Sequence, residues 1–392
     1  MTQTNNTPDE SEATADSLMD AACKATGLSD WGDESIREPL HVLLESYRKD
    51  ANLNSQGWLE VHQILIMHLG NRLRIQDELK RNSEILKQEI RKPLFIISLP
   101  RTGTTILHRL LAQDPSSRPL RYWEALSPAP PPELQTYDTD PRITAAENYL
   151  KGFYEAAPEF AAVHMVTARG EEECLFLLAN TFKFPSFKLF GRLVQYFEWL
   201  DKQDMVSAYR YHRKQLQLLQ LHIPTERWVL KTPWHTYALE ALLAVFPDAC
   251  IIQTHRDPLK VIPSYCSLIA TFRGPHSDHL DLGVIGRECL HEWETLLNRT
   301  MKVRDTVDSA RFLDVHYKDI VQDTVGSVRG IYEYFGYAYN DSFGEKMREY
   351  LVSNPKDKHG SHHYTLEQFG LNKEMVNQSF AAYCERFGIT PE

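Results

Sequence analysis

Leu94–Thr105 reads LFIISLPRTGTT, and the chain continues from 106 to 115 as ILHRLLAQDP. The uninterrupted apolar run Leu94–Ile97 is the pattern of a strand buried on both faces, as in a parallel sheet. Pro100, Arg101, Thr102, Gly103, Thr104 and Thr105 follow. Then Ile106, Leu107, Leu110 and Leu111 recur with a helical period. Strand, tight polar loop and helix start in that order build an anion site. Backbone N–H groups at a helix start point outward, and the helix dipole favours negative charge there. Arg101 adds a fixed cation, and the threonines add hydroxyl donors. The ligand expected here carries phosphate or sulfate. A well-capped strand-to-helix turn without a ligand is the competing reading of the same residues. GxxxxGK[ST] is absent, which counts against an ordinary Mg-nucleotide triphosphatase.

The chain around this stretch has 392 residues, enough to bury a large core. Its apolar content of 42% and charged content of 24% are those of a globular protein. A net charge of −10 argues against general nucleic-acid binding and leaves room for a local basic pocket. Cys23, Cys174, Cys250, Cys266, Cys289 and Cys384 show no CxxC spacing, so reduced thiols are expected, with neither a disulfide framework nor a metal site. No apolar run approaches the ~20 residues that span a bilayer. The first residues, MTQTNNTPDESEATADS, lack a basic region and an apolar stretch. A signal peptide is therefore not expected, and the expected location is the cytoplasm. Residues 1–30 are expected to be a loose acidic tail.

The remaining chain, 31–392, reads as one domain. Glu34–Tyr47 and Ser55–Leu86 are expected amphipathic helices, the second with a stripe of Trp58, Val61, Leu65, Leu69, Leu73 and Ile75. They fill 31–91, ahead of an α/β core over 92–336. SPAPPP at 127–132 breaks regular structure. A helix-rich insert spans about 140–223. Its Phe182, Phe184, Phe187, Phe190, Tyr196, Phe197 and Trp199 are either core or the wall of an apolar acceptor pocket. Further strands are expected at Trp228–Leu230, Cys250–Gln253 and Arg311–Val315, with helices at Tyr237–Phe246, Leu259–Phe272 and Ile320–Phe335. Repeated strand–helix units imply an α/β fold of three layers, a central parallel sheet flanked by helices. Ligands then lie at the carboxyl ends of the strands. Arg101, Lys231 and Arg256 all fall at such ends.

After the CIIQ strand the chain reads THRDPLKVIPSY, placing Arg256 at a strand end and Ser264 on the next helix. A planar guanidinium and a hydroxyl so placed can share one phosphate, unless Arg256 pairs with Asp257 or another carboxylate. Together, PRTGTT and the Arg256–Ser264 pair resemble the two signatures of sulfotransferases that use 3′-phosphoadenosine 5′-phosphosulfate. The bacterial and tyrosylprotein-like branches are the nearest in pattern. The first signature resembles the 5′-phosphosulfate loop, and the second resembles the 3′-phosphate site. VLKTPWHTYALEALLAVFPDACIIQTHRDP, with its Lys-x-Pro, resembles those branches. VHYKDIVQDTVGSVRGIYEYFG resembles the family's Tyr-x-Asp segment and brings Tyr317 to the donor. The resemblance runs from about Leu94 to Gly336. It implies a P-loop-like sulfotransferase fold, in which Arg101, Thr102, Gly103, Thr104, Thr105, Arg256, Ser264 and Tyr317 hold the donor. The cytosolic branch has lysine where Arg101 stands. The family's glycine-rich donor segment has no clear counterpart. NPKDKHGSHHY, within an expected donor-covering segment at 337–392, occupies its place. Lys356, Lys358 and His359 there either cover the 3′-phosphate or form a solvated loop.

Sulfuryl transfer, like phosphoryl transfer, depends on positioning and on stabilising charge as it develops. Arg101 and Lys231 are the candidates for that stabilisation, with no metal required. A base must take the acceptor's proton. Glu124 in RYWEALSP stands near the place of the base in the branches this chain resembles. His235 in KTPWH stands near the same sheet edge and has an imidazole of suitable pKa. Glu171, Glu172 and Glu173 read as a helix N-terminal charge run. The acceptor expected is a small-molecule or lipid hydroxyl compound, a lipophilic alcohol or phenol. The alternatives are a P-loop-like nucleotide kinase, which would need Mg²⁺, and a non-catalytic nucleotide-binding protein of the same fold.

Overall fold

The computed structural model describes residues 13–32, 36–156, 165–354 and 364–392. Five strands, β1 (Leu94–Ser98), β2 (Ser117–Pro119), β3 (Arg227–Lys231), β4 (Cys250–His255) and β5 (Phe312–His316), form one parallel sheet in the order β2-β3-β1-β4-β5. β1 is the central strand and every one of its residues is buried. Its alternation feeds two cores. Phe95 and Ile97 pack into the larger cluster with the N-terminal helices. Leu94 and Ile96 pack into a second cluster with Leu107, Leu110 and Leu111 of α4 (Thr104–Leu111). The period of two along the strand thus produces the three layers.

Register fixes the functional edge. Ile96 is level with Lys231 across β1 and β3, and Ser98 is level with Thr254 across β1 and β4. The loops after β1, β3 and β4 therefore leave the sheet side by side.

Three local expectations change. Residues 15–26 of the expected tail form a helix, α1 (Ala15–Thr26). Thr14 and Ser17 close a capping box at its start, Gly27 ends it in the left-handed region, and Leu18, Met19 and Ala22 are buried. The acidic composition of the segment hid this short apolar stripe. Then come α2 (Arg37–Asp50) and α3 (Ser55–Arg81), which Asn54 caps. α3 stops five residues before Leu86, because Asn82 leaves the helix with extended backbone. β2 was not anticipated. It is only three residues long, and its proline is tolerated because the strand lies at the sheet edge.

Between β2 and β3 lie α5 (Tyr122–Leu126), α6 (Pro141–Ala156), α7 (Leu175–Ala179), α8 (Val194–Leu200) and α9 (Val206–Gln220). Then α10 (Leu239–Val245) leads to β4, and α11 (Pro258–Arg273) and α12 (Leu282–Arg304) lead to β5. α13 (Tyr317–Gln322), α14 (Thr324–Phe335), α15 (Asp341–Ser353), α16 (Lys373–Ser379) and α17 (Ala381–Phe387) complete the chain. Tyr383 of α17 is buried, with its hydroxyl 3.0 Å from Nδ1 of His255. That contact fastens the C-terminal helices beside the end of β4.

Candidate active site

The loop after β1 turns through two left-handed residues, Arg101 (φ 65°) and Gly103 (φ 86°). Glycine is required at 103 twice over. A Cβ there would stand 3.1 Å from the Tyr317 ring and 3.3 Å from Ile320, on a backbone that disfavours side chains. No side chain caps α4, so its first N–H groups are left to a ligand. Arg101, Gly103, Thr104 and Thr105 line one cavity of about 1340 Å³. Thr102 behaves differently. It is fully buried, and its hydroxyl lies 2.6 Å from that of Thr254 and donates to the Leu99 carbonyl at 2.8 Å. It fastens the loop to β4 and does not face the cavity.

Arg256 and Tyr317 also line the cavity. Arg256 Nη1 donates to the Arg101 carbonyl at 3.1 Å, and the guanidinium lies 3.9 Å from the centre of the Tyr317 ring. Arg256 is thus attached to the back of the anion loop. Its remaining face holds the carboxylate of Glu392, with Nε and Nη2 each 3.0 Å from Oε2. The Glu392 backbone N–H in turn donates to Asp257 Oδ2 at 2.9 Å. The chain's own carboxylate therefore sits where an anion would be recognised. Ser264 lies buried on α11 and is not among the residues lining the cavity. Lys356, Lys358 and His359 lie outside the described residues.

Lys231, expected to stabilise charge beside Arg101, is buried at the end of β3, ion-paired with Glu173, and is not among the residues lining the cavity. Glu172 and Glu173 both line the cavity. The acidic run Glu171–Glu173 is therefore no simple helix-start charge run. Glu171 pairs with Arg121, while its two successors turn toward the cavity. The signal that could have exposed this was the buried lysine, which needs a partner charge.

The two expected bases are not brought to the cavity wall. Glu124 is fully buried, accepts from Arg118 Nη2 at 2.5 Å, and accepts the Arg121 backbone N–H at 3.0 Å as part of the α5 cap. His235 points into the core, its ring edge-on to Phe95 with centroids 5.0 Å apart and its Nδ1 2.8 Å from the Tyr209 hydroxyl. Burial, then the neighbouring His212, holds it well below the ordinary histidine range.

Much of the remaining wall is apolar and aromatic, with Gln56, Glu60, Gln63 and His276 also lining it. The aromatic segment divides between the two readings given to it. Phe182, Phe184 and Tyr196 are fully buried core, whereas Phe187 and Phe190 face the cavity together with Phe176. Single-ligand pockets run to about 300–1,000 Å³, so a cavity of about 1340 Å³ has room for an anionic ligand and an apolar one together.

Comparison with known proteins gives a consistent picture. The model of the sulfotransferase family matches residues 93–341. The omega-hydroxy-beta-dihydromenaquinone-9 sulfotransferases Stf3 of Mycobacterium bovis and Mycobacterium tuberculosis are each 28% identical over 317 residues, covering 76% of this chain and 76% of theirs. The crystal structure of sulfotransferase STF1 from Mycobacterium tuberculosis is 34% identical, with a TM-score of 0.86, covering 95% of this chain and 100% of that one. That of sulfotransferase STF9 from Mycobacterium avium is 31% identical, with a TM-score of 0.90, covering 99% of each.

Proposed function

The chain belongs to the sulfotransferase family, and on that footing we propose that it moves a sulfuryl group from 3′-phosphoadenosine 5′-phosphosulfate to a hydroxyl of a lipophilic acceptor. The observation that carries this reading is the cavity, which joins an uncapped helix start and Arg101 to an aromatic chamber. The donor supplies an activated sulfuryl group when bound. The free N–H groups of α4, with the Thr104 and Thr105 hydroxyls, hold its anionic oxygens. Arg101 faces the transferred group. Arg256, stacked on Tyr317, takes the second phosphate once Glu392 is displaced.

Glu173 is the base in this reading. Glu173 lines the cavity, and its ion pair with the buried Lys231 behind it fixes it there. The Stf3 relatives are named for an omega-hydroxy compound, which supports a lipophilic alcohol as acceptor.

Thermal unfolding tests the donor assignment. Saturation with 3′,5′-adenosine bisphosphate at ~100 times its Kd adds about 2.7 kcal/mol of stability, and Mg-ATP adds none. A shift with Mg-ATP alone would remove the reading. Arg101→Ala is expected to lose turnover by orders of magnitude with the fold retained.

A further inference from the structure

The cavity has a direction. α11 starts two residues after Arg256 and is 16 residues long, about 24 Å at 1.5 Å per residue. Tyr265, Leu268 and Phe272 line the cavity from one face of it, and His276 lines it just past the end. The start of α3 is pinned to that same end, where the Asn54 backbone N–H donates to the His276 carbonyl at 2.9 Å. A stripe along α3 then lines the cavity, and its spacing places it on one helical face: Gln56, Glu60, Gln63, Ile64 and Met67. The passage therefore runs between α3 and α11, from the anion loop to the far end of α11. Half the hydrocarbon core of a bilayer is about 15 Å, so this length takes a complete lipid tail.

The far end is polar and open. Glu60 is the centre of it: Oε2 accepts from His276 Nε2 at 2.8 Å, and Oε1 accepts from Gln56 Nε2 at 2.7 Å. The bond from His276 holds the Glu60 carboxyl below its ordinary range. A carboxylate has about four acceptor positions, so two remain. The Glu60 side chain is 35% exposed, and Leu59 and Tyr149 beside it are exposed large apolar residues that also line the cavity.

We propose that the acceptor is a long-chain amphiphile with two polar ends, one a hydroxyl at the Arg101–Thr105 loop and the other a hydrogen-bond donor held by Glu60. This rests on the sulfotransferase reading and names the acceptor class for the same site. The middle of the passage measures chain length, and Glu60 with Gln56 and Gln63 reads the distal group.

The test is a series of α,ω-alkanediols and matching 1-alkanols of six to eighteen carbons, assayed for sulfation with the wild type, Glu60→Ala and Ile64→Trp. A buried methylene is worth about 0.8 kcal/mol, or about fourfold. The wild-type kcat/KM should climb two- to fourfold per methylene up to an optimum. There the diol should exceed the alkanol about tenfold. Glu60→Ala should bring the diol down to the alkanol's rate, and Ile64→Trp should move the optimum to shorter chains. Rates independent of length, or a diol preference that survives Glu60→Ala, overturn the proposal. If adenosine bisphosphate binds but no member of the series is sulfated, this proposal alone falls. If the bisphosphate does not bind either, the sulfotransferase reading of the site falls with it.

Discussion

Glu173 and Glu124 are both acidic and both lie between β2 and β3, yet their surroundings give them opposite work. Glu173 reaches the cavity with Lys231 at its side. Glu124 closes the cap of α5 and neutralises buried Arg118. Glu173→Gln should lower kcat by about 10²- to 10⁴-fold, the range of a lost general base, with adenosine bisphosphate affinity unchanged. Glu124→Gln should instead lower thermal stability, by up to about 3–5 kcal/mol if Arg118 is left unpaired. Retention of full rate by Glu173→Gln would remove it as the base. Glu392 gives a second prediction at this scale. Its carboxylate competes for the Arg256 fork, so Glu392→Gln should tighten bisphosphate binding several-fold in a calorimetric titration. Weaker binding would mean that Glu392 helps to hold the ligand. Contacts of this kind are not legible in a sequence, since residues 256 and 392 meet only through the packing of α17 on β4.

At the scale of elements, β1, the anion loop and α4 were readable because every cue lies in one window: apolar run, glycine and helical period. The same holds for β3 and β4. β2 gave no signal, being three residues long and containing Arg118 and Pro119. α1 was masked by acidic neighbours, although Leu18, Met19 and Ala22 carry a helical stripe. His235 was misplaced because its residue type suggests chemistry while its position, after Pro233 in a single turn, aims it under the sheet. The left-handed turn at Gly103 yields a prediction for this element. Gly103→Ala forces a Cβ against Tyr317 on a strained backbone. It should weaken bisphosphate binding at least tenfold with little loss of secondary structure by circular dichroism. Unchanged affinity would show that the loop does not hold the ligand.

Across the whole molecule, the described residues contain no helix long and apolar enough to cross a membrane. The interior also stores a pH response. Burial depresses His68 to about 4, and His108 and His212 to about 3. In each case the folded value lies below the unfolded one near 6.5, so the unfolded chain binds more protons between them. Stability is complete above about pH 6.5 and falls as pH drops toward 4, by up to about 1.4 kcal/mol per unit per group. Calorimetric melting from pH 7.5 to 5 should show a falling midpoint, and a midpoint that rises on acidification would contradict the burial of these rings.

The most direct test of the central claim is transfer itself. Wild-type protein is incubated in chelator with sulfuryl-labelled 3′-phosphoadenosine 5′-phosphosulfate and a long-chain alcohol, and the label in the organic extract is counted. Label appearing on the alcohol with the wild type, and lost with Arg101→Ala, is the predicted result. Label that stays on the donor, in a folded protein that does not bind adenosine bisphosphate either, would contradict it.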